Sequence, residues 1–190
     1  MEKFSLYIKL LAKWARVLNL VAEGEDLKQR HFADSMALMP YLGGGDSCAD
    51  VGGNGREEIT DVGSGAGFPG MVLAIAGLPV VRLVEADSRK YAFLEEVKRA
   101  YGLDVEIVNA RVESITGFAA SVITARAFAP LGRLFELCGG ICLPGTRFVL
   151  LKGVGVEAEI AEASARWRFE HSIHKKPGGF VLECHNVGLK

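Results

Sequence analysis

The sequence predicts an α/β fold on a mostly parallel sheet, and three observations carry that prediction. From residue 57 onward, short β-branched or apolar runs alternate with stretches at helical spacing. A glycine-rich segment, "DVGSGAGFPG", falls where the first strand-like run gives way to the first of these helices. The final stretch, "RFEHSIHKKPGGFVLECHNV", reads as two strands across a Lys-Pro-Gly-Gly turn. Alternating strands and helices give a parallel sheet covered on both faces, and a terminal hairpin would close it antiparallel at one edge.

In order, strands are expected at 59–62, 80–86, 105–108, 122–125 and 148–152, so the hairpin brings the sheet to seven strands. Helices are expected at 69–76, 88–101, 130–138 and 157–165. Upstream, Phe4, Tyr7, Leu11, Trp14 and Leu18 recur at steps of three and four, so a helix there buries an aromatic-rich stripe. Lys9, Lys13 and Arg16 share another of its faces, which is either a solvated surface or a phosphate contact. A second helix is predicted over 27–42, stopping in the cluster Gly43-Gly44-Gly45. The expected organisation is one domain over 1–190, with a helical cap at 1–42 and the sheet and its helices at 57–190.

Composition narrows the function classes. An apolar fraction of 49% over 190 residues argues for a packed core and against disorder. The formal charge of −1 announces no polyanionic partner, so a nucleic-acid footprint would have to be a local patch. Charged residues interrupt the apolar runs, and Lys3, Lys9, Lys13 and Arg16 break the N-terminal one, which predicts neither a membrane span nor a signal segment. A cytoplasmic location is expected. Cys138 and Cys142 have no second close cysteine pair to complete a zinc site, so the four cysteines read as buried thiols and no metal is expected.

Asp-Val-Gly occurs twice, at 50–52 and 61–63. The first copy has neither a strand leading in nor a helix leading out; the second follows "EEIT" and runs into "FPGMVLAIAG". Context selects the second as a site. Glycines let the backbone turn sharply and approach a ligand closely. Gly65-Ala66-Gly67-Phe68-Pro69-Gly70 satisfies G-x-G-x-x-G, and Glu85 closes the next strand where a ribose-binding acid is needed. That much fits NAD, flavin or any adenosyl cofactor. Asp61 favours the ammonium and sulfonium end of S-adenosylmethionine, because a carboxylate there would repel a pyrophosphate; the alternative is an aspartate that only caps the turn. The D-x-G-x-G-x-G arrangement resembles that of Rossmann-like, class I S-adenosylmethionine-dependent methyltransferases.

With these residues in view, the chain resembles the RsmG (GidB) methyltransferases, which methylate guanine N7 in small-subunit 16S ribosomal RNA. "LAKWARVLNL" with Trp14, Asn19 and Leu20, "RHFADS" with His31, Asp34 and Ser35, "DVGSGAGFPG", "RKYAFLEEV", "ARVES", "ITARAFAPL" and "LLKG" follow in that family's order. Two departures stand out: Trp14-Ala15 where the family has Trp-Asn, and a longer, more polar connection over 43–56. The resemblance implies S-adenosylmethionine contacts at Gly63, Phe68, Val112, Glu113 and Arg126. Asp61, Gly65, Gly67 and Glu85 join these from position.

Guanine N7 attacks with a lone pair and has no proton to lose, so no general base is expected; Arg126 and Lys152 are positioning candidates. Guanine N7 is hard to reach in an A-form helix, so a turned-out or distorted base, an aromatic platform and basic residues are expected at the cofactor mouth. Phe128, Arg111 and Lys152 are candidates, with Lys9, Lys13 and Arg16 extending the phosphate contacts. His31 and Asp34, one helical turn apart, read as ties between the N-terminal helices and the sheet. The small ribosomal subunit or its RNA is the expected partner, with the protein acting as a monomer. Two other readings stay open on the glycine pattern alone: a nucleotide-dependent oxidoreductase, and a non-catalytic RNA-binding module on the same fold.

Overall fold

The computed structural model describes residues 2–15, 18, 31–42 and 58–190. A 3-10 turn, Glu2–Phe4, leads into helix α1 (Ser5–Ala15), which buries Phe4, Tyr7, Leu11 and, beyond its end, Leu18. The expected stripe is therefore the packed face. Over 31–42 the single predicted helix is corrected to a short α2 (Ala33–Met36) and a separate 3-10 turn at Met39–Tyr41. Pro40 lacks the amide that would continue the α-helical ladder to the Met36 carbonyl, which accounts for the break. Residues 27–30, the cluster at 43–45 and the first Asp-Val-Gly copy lie outside the described residues.

The body is β1 (Ile59–Val62), α3 (Gly70–Ala76), β2 (Val80–Val84), α4 (Ser88–Tyr101), β3 (Glu106–Val108), β4 (Ala120–Arg126), α5 (Leu131–Cys138), β5 (Cys142–Lys152), α6 (Val156–Ser164), β6 (Trp167–Lys176) and β7 (Gly179–Leu189). The strands form one sheet in the order β3-β2-β1-β4-β5-β7-β6. The first five are parallel; β7 runs antiparallel between β5 and β6. Three bounds are corrected. β2 ends at Val84, leaving Glu85 and Ala86 beyond it, and both β4 and β5 begin earlier than their apolar runs. The start of β5 was hidden by Pro144 and Gly145, residues that ordinarily punctuate a strand.

Alternation along the strands feeds two cores. Val149, Leu151, Leu83 and Ile59 pack with α1, α3 and α4, whereas Phe148, Leu150, Ile123 and Val84 pack with α5 and α6. Parallel strands buried on both faces are the reason these segments read as continuous apolar runs.

Candidate cofactor site at the glycine loop

Where β1 ends, the chain turns through left-handed backbone at Gly63 (φ +65°), Gly65 (+57°) and Gly67 (+84°). A side chain at Gly63 would run into the ring of Phe128, which follows the neighbouring strand β4. One at Gly67 would run into the hydroxyl of Tyr7. Gly70, the last glycine of the motif, starts α3 directly over Asp61: an ideal Cβ would stand 2.7 Å from Asp61 Oδ2. The Gly67 amide donates to the Ser64 carbonyl at 2.7 Å, and the Ser64 amide donates to Val84 at 3.1 Å, tying the loop to β2.

Glu85 sits one residue past β2 and is buried, with Oε2 accepting from the Gly65 amide at 2.7 Å and Oε1 from the Asp87 amide at 2.8 Å. Asp87 in turn caps α4 by accepting from the amides of Arg89 and Lys90, and the Arg89 guanidinium, with those amide bonds, pulls its carboxyl down to about 2.

Two cavities open at the carboxyl ends of the parallel strands. One, of about 360 Å³, is lined by Gly63, Gly65, Glu85, Lys90, Arg111, Val112, Glu113, Phe128 and Arg133, among others. The other, of about 610 Å³, includes Asp34, Arg126, Phe128, Lys152, Glu159, Glu162 and Lys176. Ala127 and Phe128 belong to both walls. Ala127 has positive φ (48°), unusual for a residue with a side chain, and it falls where the chain brings Phe128 over Gly63.

Of the expected cofactor residues, Gly63, Gly65, Glu85, Val112 and Glu113 thus line the smaller cavity, and Arg126 lines the larger. Asp61, Gly67 and Phe68 line neither. Asp61 is fully buried, its Oδ1 accepting from Thr124 Oγ at 2.9 Å, and burial raises its pKa to about 7. Its carboxylate lies beneath Gly70, the start of α3, and lines neither cavity. Phe68 packs between His31 (ring centroids 4.9 Å apart) and Tyr7 (5.7 Å), with the Arg126 guanidinium 6.0 Å from its ring centre.

Among the expected RNA contacts, Arg111 and Phe128 line the smaller cavity, and Lys9 is exposed on α1. Lys13 is exposed but bonds Glu96 of α4 at 2.9 Å, and Arg16 lies outside the described residues. Lys152 is nearly buried: its Nζ meets Glu159 Oε2 at 2.6 Å and the Ala129 carbonyl at 3.2 Å. Asp34 pairs with Lys176 of β6 across the larger cavity's wall, the structural tie expected of it.

Lys90, Arg133, Glu159, Glu162 and Lys176 were not singled out from the sequence. Lys90 had a usable signal, since it follows the Asp87 cap in the first turn of a helix that starts beside Glu85. The others are brought in by tertiary contacts with no local pattern. Among the described residues no group of His, Cys, Asp and Glu could hold a metal ion, and no helix is long and apolar enough to cross a membrane. Burial raises the thiol pKa of Cys142 to about 11 and that of Cys184 to about 12, and pushes Cys138 higher still, which leaves all three unreactive thiols.

The sheet order, the glycine turn after β1 and the acid after β2 define a Rossmann-like fold of the S-adenosylmethionine-dependent class I methyltransferases. An O-methyltransferase from Bacillus cereus in complex with SAH shares that fold at a TM-score of 0.57 and 12% identity, with 100% of this chain and 91% of that one covered. The family model for GidB, rRNA small subunit methyltransferase G, matches residues 1–186. The ribosomal RNA small subunit methyltransferase G of Rhodospirillum rubrum is 41% identical over 98% of this chain and 90% of its own length. That of Paramagnetospirillum magneticum is 40% identical over 98% and 89%. The chain belongs to the GidB family and is an S-adenosylmethionine-dependent methyltransferase. The oxidoreductase and non-catalytic readings left open by the glycine pattern are thereby set aside.

Proposed function

We propose that this chain transfers the methyl group of S-adenosylmethionine to N7 of a guanine in the 16S RNA of the small ribosomal subunit. The observation that carries this is the meeting of the two cavities at Phe128, in a chain matched along almost its whole length by a small-subunit rRNA methyltransferase family. One cavity suits the cofactor and the other a base within reach of it. We also infer that residues 1–42 and 57–190 form the cap and body of one domain acting as a monomer in the cytoplasm.

The residues fit the cofactor. Gly63 leaves open the space that a side chain would contest with Phe128, and Glu85 presents an acid to the ribose hydroxyls while sharing the Gly65 amide. Val112 and Glu113, on the 3-10 turn after β3, flank the same cavity. When bound, S-adenosylmethionine supplies an electrophilic methyl group on a positively charged sulfur. Phe128 offers a face for a purine, and Arg126 and Lys152 orient it, with Lys152 held in place by Glu159 and Ala129.

The carboxylates of Asp34, Glu159 and Glu162 line the side towards which positive charge moves as the purine is alkylated. Alignment then provides most of the acceleration, roughly 7–11 kcal/mol in favourable cases. Arg111, Lys9, Lys13 and Arg16 add phosphate contacts whose strength falls with salt.

The test is transfer of labelled methyl from S-adenosylmethionine to unmethylated small subunits, with naked RNA in parallel, followed by nucleoside analysis. Label in 7-methylguanosine is expected, with subunits the better substrate. Label in another nucleoside, or none in either RNA, would overturn the assignment.

A further inference from the structure

Tyr7 lies on α1 and lines neither cavity, yet it is fully buried against the underside of the glycine loop. Its hydroxyl donates to the carbonyl of Ala66, and it fills the space where a side chain on Gly67 would stand. Its ring stacks on Phe68 (5.7 Å) and on Phe93 of α4 (6.1 Å). Ala66 is itself buried, so its carbonyl needs a donor from within the protein, and Tyr7 supplies one. Burial also holds the phenol well above its ordinary pKa, so it stays a donor throughout the working pH range.

The peptide that Tyr7 holds is one residue from the amide that Glu85 holds. Gly65 N–H donates to Glu85 Oε2 at 2.7 Å, and Gly63 and Gly65 both line the smaller cavity. The run from Tyr7 through Ala66 and Gly65 to Glu85 is continuous, and every second residue from Gly63 to Gly67 is a glycine that imposes little conformation of its own. A loop free to choose several backbone conformations must lose that freedom on binding, and a contact that fixes it beforehand raises affinity.

We propose that Tyr7 is a positioning residue of the cofactor site, acting through the Ala66 carbonyl to preset the Gly65–Glu85 contact. The proposal rests on the reading of this loop as the S-adenosylmethionine site. It also gives the N-terminal segment a part in the reaction, since α1 carries both Tyr7 and the exposed lysines.

Tyr7→Phe keeps the ring and its stacking and removes only the donor. Tyr101→Phe is the comparison: the Tyr101 hydroxyl accepts from the Tyr7 amide at 2.9 Å and donates to the Lys3 carbonyl at 2.8 Å, so its loss loosens α1 without touching the loop. Binding of S-adenosylhomocysteine is measured by calorimetry for the wild type and both variants, alongside melting curves. Tyr7→Phe is expected to weaken binding about tenfold, as for a buried acceptor left without its donor, and to raise the KM for S-adenosylmethionine while largely keeping kcat. Tyr101→Phe is expected to lower the melting temperature and leave affinity within about twofold.

Equal affinity in wild type and Tyr7→Phe, or a loss shared by both variants in step with their melting temperatures, would overturn the positioning role. So would an unfolded Tyr7→Phe beside a folded Tyr101→Phe, because the hydroxyl would then be holding the fold. Failure of the wild type itself to bind S-adenosylhomocysteine would instead overturn the reading of the site.

Discussion

Asp61 is the residue where pH and stability meet. Its folded pKa, about 7, lies above the ordinary 3.8, chiefly because burial penalises the charged form and despite the help of Thr124. Between those values the native protein keeps a proton that the unfolded chain releases. Stability therefore falls as pH rises from about 4 to about 7 and levels off above, by up to about 4 kcal/mol from this one group. Asp61→Asn keeps an acceptor for Thr124 and cannot ionise. Its melting temperature in the absence of cofactor is expected to decline less than that of wild type between pH 5 and pH 8; parallel curves would show that Asp61 stays ionised in the fold. The sequence placed Asp61 at the tip of β1 but could not show which way its side chain turns. That depends on Gly70 and Thr124, which close over it from α3 and β4.

Helix α1 shows what periodicity reveals and what it hides. Its apolar stripe was legible because residues three and four apart share a face. Its partners were not, because they are distant in sequence: Glu96 of α4 accepts from Trp14 Nε1 at 2.7 Å and from Lys13 Nζ at 2.9 Å. The Trp14 indole is half-buried and would lose its acceptor in Glu96→Ala, whereas the exposed Lys13 side chain would lose little in Lys13→Ala. Glu96→Ala is therefore expected to destabilise by about 1 kcal/mol, a fall of about 2–4 °C in melting temperature, and Lys13→Ala by much less. Similar losses would make the ion pair, not the indole, the significant bond. The same limit explains why Glu159 and Lys176 went unnoticed: each meets its partner only after folding, Lys176 reaching Asp34 across 142 residues.

At the scale of the molecule, function follows from strand order. The sheet runs outward in two directions from β1 and β4, neighbours in space though not in sequence, and a ligand crevice is expected where the order reverses. Gly63 follows β1 and Phe128 follows β4, and they meet at that crevice. The alternation of strands and helices was legible because both faces of the sheet are buried, and the glycine turn because few residues tolerate its backbone. The second cavity was not, because it is assembled from the ends of β4 and β5, from α2 and α6, and from the hairpin. Whether the crevice over Gly63 holds S-adenosylmethionine is decided by equilibrium binding of that cofactor to wild type and to Gly63→Asp. Binding is expected for wild type and none for a Gly63→Asp protein that still melts cooperatively, since the new side chain would contest the space under Phe128 and add charge beside Glu85. Equal binding by both proteins would contradict it and move the cofactor elsewhere.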